Sequence, residues 1–117
     1  MGEKQKIERT AEQRALSLIG MCKKSGRLIS GVPLVCDAIR EGRVYLAVYA
    51  GKASENSVKR VCDKAKSFEA EALCLNVTAE ELAHAVGKTG AVAAVGICDA
   101  GFAGALTKIL NGGSTVL

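Results

Sequence analysis

Four short apolar runs alternate with amphipathic stretches along most of the chain, and this alternation limits the fold more than any other feature. The run "VYLAVYA", residues 44–50, is apolar throughout. A strand of that kind has to be covered on both faces. "RLIS" (27–30), "EALCLNV" (71–77) and "AVAAVGIC" (91–98) are the other strand candidates.

The intervals read as helices. "TAEQRALSLIGMCKK" opens on Thr10 and Gln13, a capping-box pattern, and repeats Ala15, Leu18, Ile19 and Cys22 on one helical face. Ser25-Gly26 stops it. Gly31 to Arg40 predicts a second helix, with Leu34, Val35, Ala38 and Ile39 inward and Gly42 as its stop. Pro33 sits in the first turn, where its missing N–H costs little. "SENSVKRVCDKAKSF" offers Ser54 as N-cap and Val58, Val61, Cys62 and Ala65 as a face. "TAEELAHAVG" carries a second capping box, Thr78 and Glu81, and ends at Gly87. "DAGFAGALTKIL" is the last helix, with Asp99 as N-cap. About five helices around about four strands predict an α/β fold, a three-layer α/β/α sandwich on a largely parallel or mixed sheet. With 117 residues and no linker or repeat, the expected organisation is one domain over 1–117, with 1–9 and 111–117 as loose tails.

Composition narrows the chemistry. Aromatics are only 3% of the chain, so Ala, Val, Leu and Ile must fill the core. The same scarcity argues against aromatic stacking platforms for nucleic acid. Five cysteines without a CxxC pair, and a polar leading segment "MGEKQKIERTAEQR", point to reduced thiols, each on an apolar face, in the cytoplasm. His84 is the lone histidine, so neither a metal nor a cofactor is expected. No P-loop, GxGxxG, HExxH or GxSxG is present, and the serines have no neighbouring base. The pattern predicts a non-enzyme.

Charge points to an anionic partner. Residues 1–60 hold twelve Lys/Arg against six Asp/Glu, while residues 61–117 hold four against six. The first half is therefore at +6 and the second at −2. Lys23, Lys24 and Arg27 precede Gly31, whose helix start offers free N–H groups to an anion. Lys52 is a further basic residue in this half. The turn "GKTGA", with Lys88, Thr89, Gly90 and Ala91, is a second place where phosphate could be met.

Over roughly residues 14–110 the order of motifs resembles the ribosomal kink-turn RNA-binding superfamily of the L-seven-Ae type, in its small bacterial YlxQ-like branch. "LIGMCKKSGRLISG", "VPLVCDAIREGRVYLAVYAGKASENSVKRV", "ELAHAVGKTGAVAAVGI" and "DAGFAGAL" carry the resemblance. It implies a non-catalytic sandwich that binds structured RNA, ribosomal RNA or a kink-turn-like element, with a protein partner possible in the translation machinery. It also implies a site. The helix start would contribute Gly31, Val32, Pro33, Leu34 and Asp37, the later loop Lys88, Thr89, Gly90 and Ala91, and Arg27 a basic group, supported by Lys23, Lys24 and Lys52. Strong RNA binders of the family carry Gly-x-Asn-Glu-x-x-Lys at this helix start. Here Pro33 stands for the Asn, Leu34 for the Glu and Asp37 for the Lys, so the recognition motif is degenerate. The competing reading is a protein-interaction module that kept the fold and lost kink-turn binding.

Overall fold

The computed structural model describes residues 10–111, and both expected tails lie outside the described residues except for Asn111. The elements follow in the order α1 (Ala11–Lys24), β1 (Leu28–Ser30), α2 (Val32–Arg40), β2 (Leu46–Ala50), α3 (Glu55–Ser67), β3 (Ala72–Leu75), α4 (Ala79–Ala85), β4 (Ala94–Ile97) and α5 (Ala100–Leu110). The sheet order is β1-β4-β2-β3. β4 pairs antiparallel with both β1 and β2, and only β2–β3 is parallel. The sheet is therefore mixed and mostly antiparallel.

The apolar runs are covered on both faces, as a run without a polar side must be. Leu46, Val48 and Ala50 of β2 join Val95 and Ile97 of β4 in one core with Ala15 and Ile19 of α1, Leu82 of α4 and Leu106 of α5. Ala47 and Ala94 face the other way, against Val32, Val35 and Ile39 of α2 and Val61 and Ala65 of α3. The largest fully buried side chains of the sheet, Leu46, Leu75 and Ile97, lie on the first face. On the second, small residues let helices come close: a Cβ at Gly96 would stand 3.1 Å from Val44 Cγ2 and 3.8 Å from Val35 Cγ1.

Local signals account for the helix boundaries. Thr10 Oγ1 accepts from the Gln13 N–H at 3.1 Å and Gln13 Oε1 from the Thr10 N–H at 3.0 Å, closing the capping box of α1. Thr78 and Glu81 do the same for α4. Asp99 Oδ2 accepts from Phe102 N–H at 2.9 Å and starts α5. The strands are shorter than the apolar runs predict. Val44 and Tyr45 lead into β2, Asn76 and Val77 follow β3, and Ala91 to Ala93 precede β4. At these ends the backbone turns to bond non-ladder partners, as when the Val77 N–H donates to Leu75 O at 2.7 Å.

Two expectations are corrected. Leu34 is not inward but 60% exposed. The buried stripe of α2 runs through Val32, Val35, Cys36 and Ile39, at i, i+3, i+4 and i+7, which turns Leu34 out to solvent. Nor is every cysteine on a covered face. Cys22 and Cys36 are buried, Cys62 and Cys98 half-buried, and Cys74, on the edge strand β3, is exposed. Burial, reinforced by Asp99 and Cys98 and opposed by Arg27, pushes the Cys22 thiol up to about 11.

Leu106 is fully buried between α5 and the sheet. Leu106→Ala is expected to lower stability by about 2–5 kcal/mol in urea unfolding, through lost transfer energy and a cavity. In the native protein at mildly alkaline pH, Cys74 is expected to label first with a thiol reagent and Cys22 last. Early modification of Cys22 would contradict the packing of α1.

Candidate nucleic-acid interface

The strand directions decide which predicted residues can meet. β1 ends at Ser30, and the next residue, Gly31, has φ 100° and ψ 137°. That region is open to glycine and strained for any other residue. The Gly31 N–H donates to Ala94 O at 2.9 Å, which pins the start of α2 to the start of β4. At the same end of the sheet, the Ala50 N–H donates to Ala93 O at 2.8 Å and the Lys52 N–H to Val77 O at 3.1 Å. The Val92 N–H donates to Ala79 O at 3.0 Å. Four chain segments are thereby fastened around one hollow of about 510 Å³.

Gly31, Val32 and Pro33 form one wall of this hollow, and Ala91 to Ala93 form another. Lys52, Ser54 and Ser57 come from the β2–α3 turn and the start of α3, and Ala79 and Glu80 from the start of α4. Three helix N-termini converge here. Two of them are closed by their own side chains: Ser54 Oγ accepts from the Ser57 N–H at 3.3 Å, and Thr78 Oγ1 from the Glu81 N–H at 3.0 Å. Both also carry acid in the first turn, Glu55 in α3 and Glu80 with Glu81 in α4. α2 has neither a side-chain cap nor an acidic residue in its first turn. Pro33 removes one N–H from that turn, which leaves those of Val32 and Leu34 without a capping side chain. The partial positive charge at this end is thus not neutralised from within the helix. Lys52 adds a full positive charge to the hollow, and Glu80 opposes it.

Not all of the predicted residues gather here. Gly31, Val32, Pro33, Lys52 and Ala91 share the hollow, and exposed Leu34 stands beside it. Lys88, Thr89 and Gly90 are exposed on the loop that feeds Ala91 into it. The Lys88 N–H closes the end of α4 by donating to Ala83 O at 2.9 Å, and Gly87 and Gly90 flank the loop at φ 74° and 85°. Arg27 is elsewhere. It precedes β1 while Gly31 follows it, so the two are about 13 Å apart along the strand. Its guanidinium lies 3.9 Å from Asp99, at the opposite end of the sheet. Lys23 and Lys24 line another hollow, with His84 and Gly87. Asp37 lies one turn along α2 in a cleft facing α3, where it accepts from Arg40 Nη2 at 3.0 Å. Among the described residues no group of three or more His, Cys, Asp and Glu is arranged to hold a metal. No helix there is long and apolar enough to cross a membrane.

Sequence reasoning missed Ser54, Ser57, Ala79, Glu80 and Ala93. They are separated widely along the chain, and only the β2–β3–β4 pairing brings them to one end.

The architecture defines the chain as an α/β/α sandwich with one open helix start at one end of its sheet. A protein called RNA-binding protein YlxQ from Enterococcus faecium is 35% identical over 101 residues, 86% of this chain and 94% of that protein. The YlxQ protein of Bacillus subtilis (strain 168) is 31% identical over 94 residues, 80% of this chain and 92% of that one. The chain belongs to the YlxQ family. Among solved structures, a protein of unknown function from Bacillus halodurans superposes with a TM-score of 0.76 at 26% identity, covering 84% of this chain and 97% of that one. The 15.5kD RNA binding protein of Giardia lamblia shares the fold, with a TM-score of 0.70 at 10% identity over 90% of this chain and 88% of its own. No family model matches the chain.

Gly31→Ala places a Cβ in open space but forces an L residue to φ 100°. A loss of about 1–3 kcal/mol is expected in denaturant unfolding, from backbone strain alone. An unchanged stability would mean that the turn relaxes without cost.

Proposed function

We propose that this protein is a non-catalytic RNA-binding protein of the cytoplasm that holds structured RNA against the open start of α2. The observation that carries the reading is the contrast among the three helix starts around one hollow. Those of α3 and α4 are capped and acidic, and that of α2 is neither. A phosphate or an electron-rich base edge suits the uncapped N–H groups. Lys52 in the hollow and Lys88 on the adjoining loop supply backbone contacts, and Gly31 and Gly90 let a ribose-phosphate chain come close. The YlxQ relatives carry RNA binding in their name, which supports the same chemistry here.

The RNA is ribosomal or kink-turn-like, and the protein works in association with the ribosome or the translation machinery. Its discrimination is weak. Pro33 and Leu34 offer no side-chain hydrogen bond to a base edge, and Asp37 is occupied by Arg40. Recognition therefore rests on RNA shape and backbone. A second reading, a protein-interaction module, draws on exposed Leu34 beside Pro33, a large apolar side chain open to solvent at the edge of the hollow.

A mobility-shift series with a kink-turn RNA and a matched duplex, at about 50 and about 200 mM salt, separates the two. RNA binding should fall steeply with salt as counterions are released. Lys52→Ala and Lys88→Ala should weaken both RNAs alike, each lowering the salt slope by about one. Arg27→Ala, remote from the hollow, should have little effect. Absence of binding to either RNA at low salt would favour the protein module. Restoring the family pattern with Pro33→Asn, Leu34→Glu and Asp37→Lys together should raise preference for the kink-turn by about tenfold or more, since one good base-edge pair is worth about 1–3 kcal/mol.

A further inference from the structure

The groove between α1 and α5 lies on the helical layer opposite α2 and α3 and takes no part in the Gly31 hollow. It encloses about 780 Å³. Leu18 and Met21 of α1 and Ile109 of α5 give it apolar walls, and Met21 is 51% exposed. Its floor is low because Gly101 and Gly104 stand there in α5. Glycine is the costliest helix residue after proline. At Gly104 the fold gives no reason for it, because an added Cβ would meet nothing within 4 Å. An open floor is what the glycine preserves. Among the described residues the groove is lined by the cations Arg14 and Lys108 and by no carboxylate; Asp99 stands at its end, where its Oδ2 would lie 3.2 Å from a Cβ added at Gly101. The cleft between α2 and α3 differs, since Asp37 and Asp63 offset its cations.

We propose that this groove docks an acidic amphipathic helix from a partner protein. Apolar side chains at i, i+3, i+4 and i+7 of that helix rest on Leu18, Met21 and Ile109. Its backbone passes close over Gly101 and Gly104. Glu or Asp on its flanks meet Arg14 and Lys108. This is helix-in-groove recognition, with charge choosing the partner and apolar contact holding it. It stands independently of the RNA reading, because the two surfaces share no residue.

The test is an NMR titration with a synthetic helical peptide of about five turns. The peptide carries Leu at i, i+3, i+4 and i+7 and Glu on both flanks, and a twin carries Lys in place of Glu. The acidic peptide should shift the Gly101 and Gly104 amides and the Met21 methyl, and the twin should bind at least about tenfold more weakly. Gly104→Leu fills the floor and should abolish docking while circular dichroism stays helical. Arg14→Glu with Lys108→Glu should reverse the preference, so the proposal is testable even if Gly104→Leu fails to fold. Equal binding of the two peptides, no binding of either, or shifts confined to other surfaces would overturn it. So would sedimentation showing self-association that covers Met21, or RNA producing the Gly104 shifts.

Discussion

β4 carries the rest of the structure. Its four residues bond β1 on one side and β2 on the other, and both of its faces are buried. Val95 and Ile97 fill the core under α1, α4 and α5, while Ala94 and Gly96 leave room for α2. A slip of one residue would exchange those sets and drive Val and Ile into the space that Val35 and Val44 occupy. Register is therefore fixed by volume as well as by hydrogen bonds. The Gly31 N–H reads that register directly at Ala94 O, so the position of the α2 start follows from the position of β4.

The same end of the sheet shows how a fold can leave one group unsatisfied without weakening its neighbours. Thr10, Ser54, Thr78 and Asp99 each accept from a backbone N–H at the start of their own helix. A missing cap commonly costs about 1 kcal/mol. α2 does without one and is held instead by its buried stripe and the bond to β4. Its first turn is stiffened by the fixed φ of Pro33. Apolar burial stabilises this helix, while its polar terminus remains available to solvent or to an anion.

Much of the fold is legible in the sequence because the signals are local. Capping boxes at Thr10–Gln13 and Thr78–Glu81, the N-caps Ser54 and Asp99 and the glycine stops all lie within four residues of what they determine. The length of the strands was less legible, since an apolar residue such as Val77 or Val92 can be buried outside a ladder. The rotation of α2 is ambiguous in the sequence because i, i+1, i+4 and i+5 spacing allows two positions of the stripe, and only contact with the sheet turns Leu34 outward. The site was half legible. Gly31 and Ala91 were found at their turns, but "GRLISG" put Arg27 and Gly31 together on paper while an extended strand holds them apart. Ser57, Glu80 and Ala93 carry no motif at all. They matter through the crossover that makes β2 and β3 parallel.

The bond between Gly31 and Ala94 also has a consequence in time. Its two ends are about sixty residues apart, so closing it is among the most entropically demanding steps of folding. During synthesis α1 and α2 can form early from local interactions, but the start of α2 has nothing to be pinned to until β4 has been made. The hollow is complete only when nearly the whole chain is available. Shorter nascent chains contain Gly31, Pro33 and Lys52 without the geometry that makes them a surface.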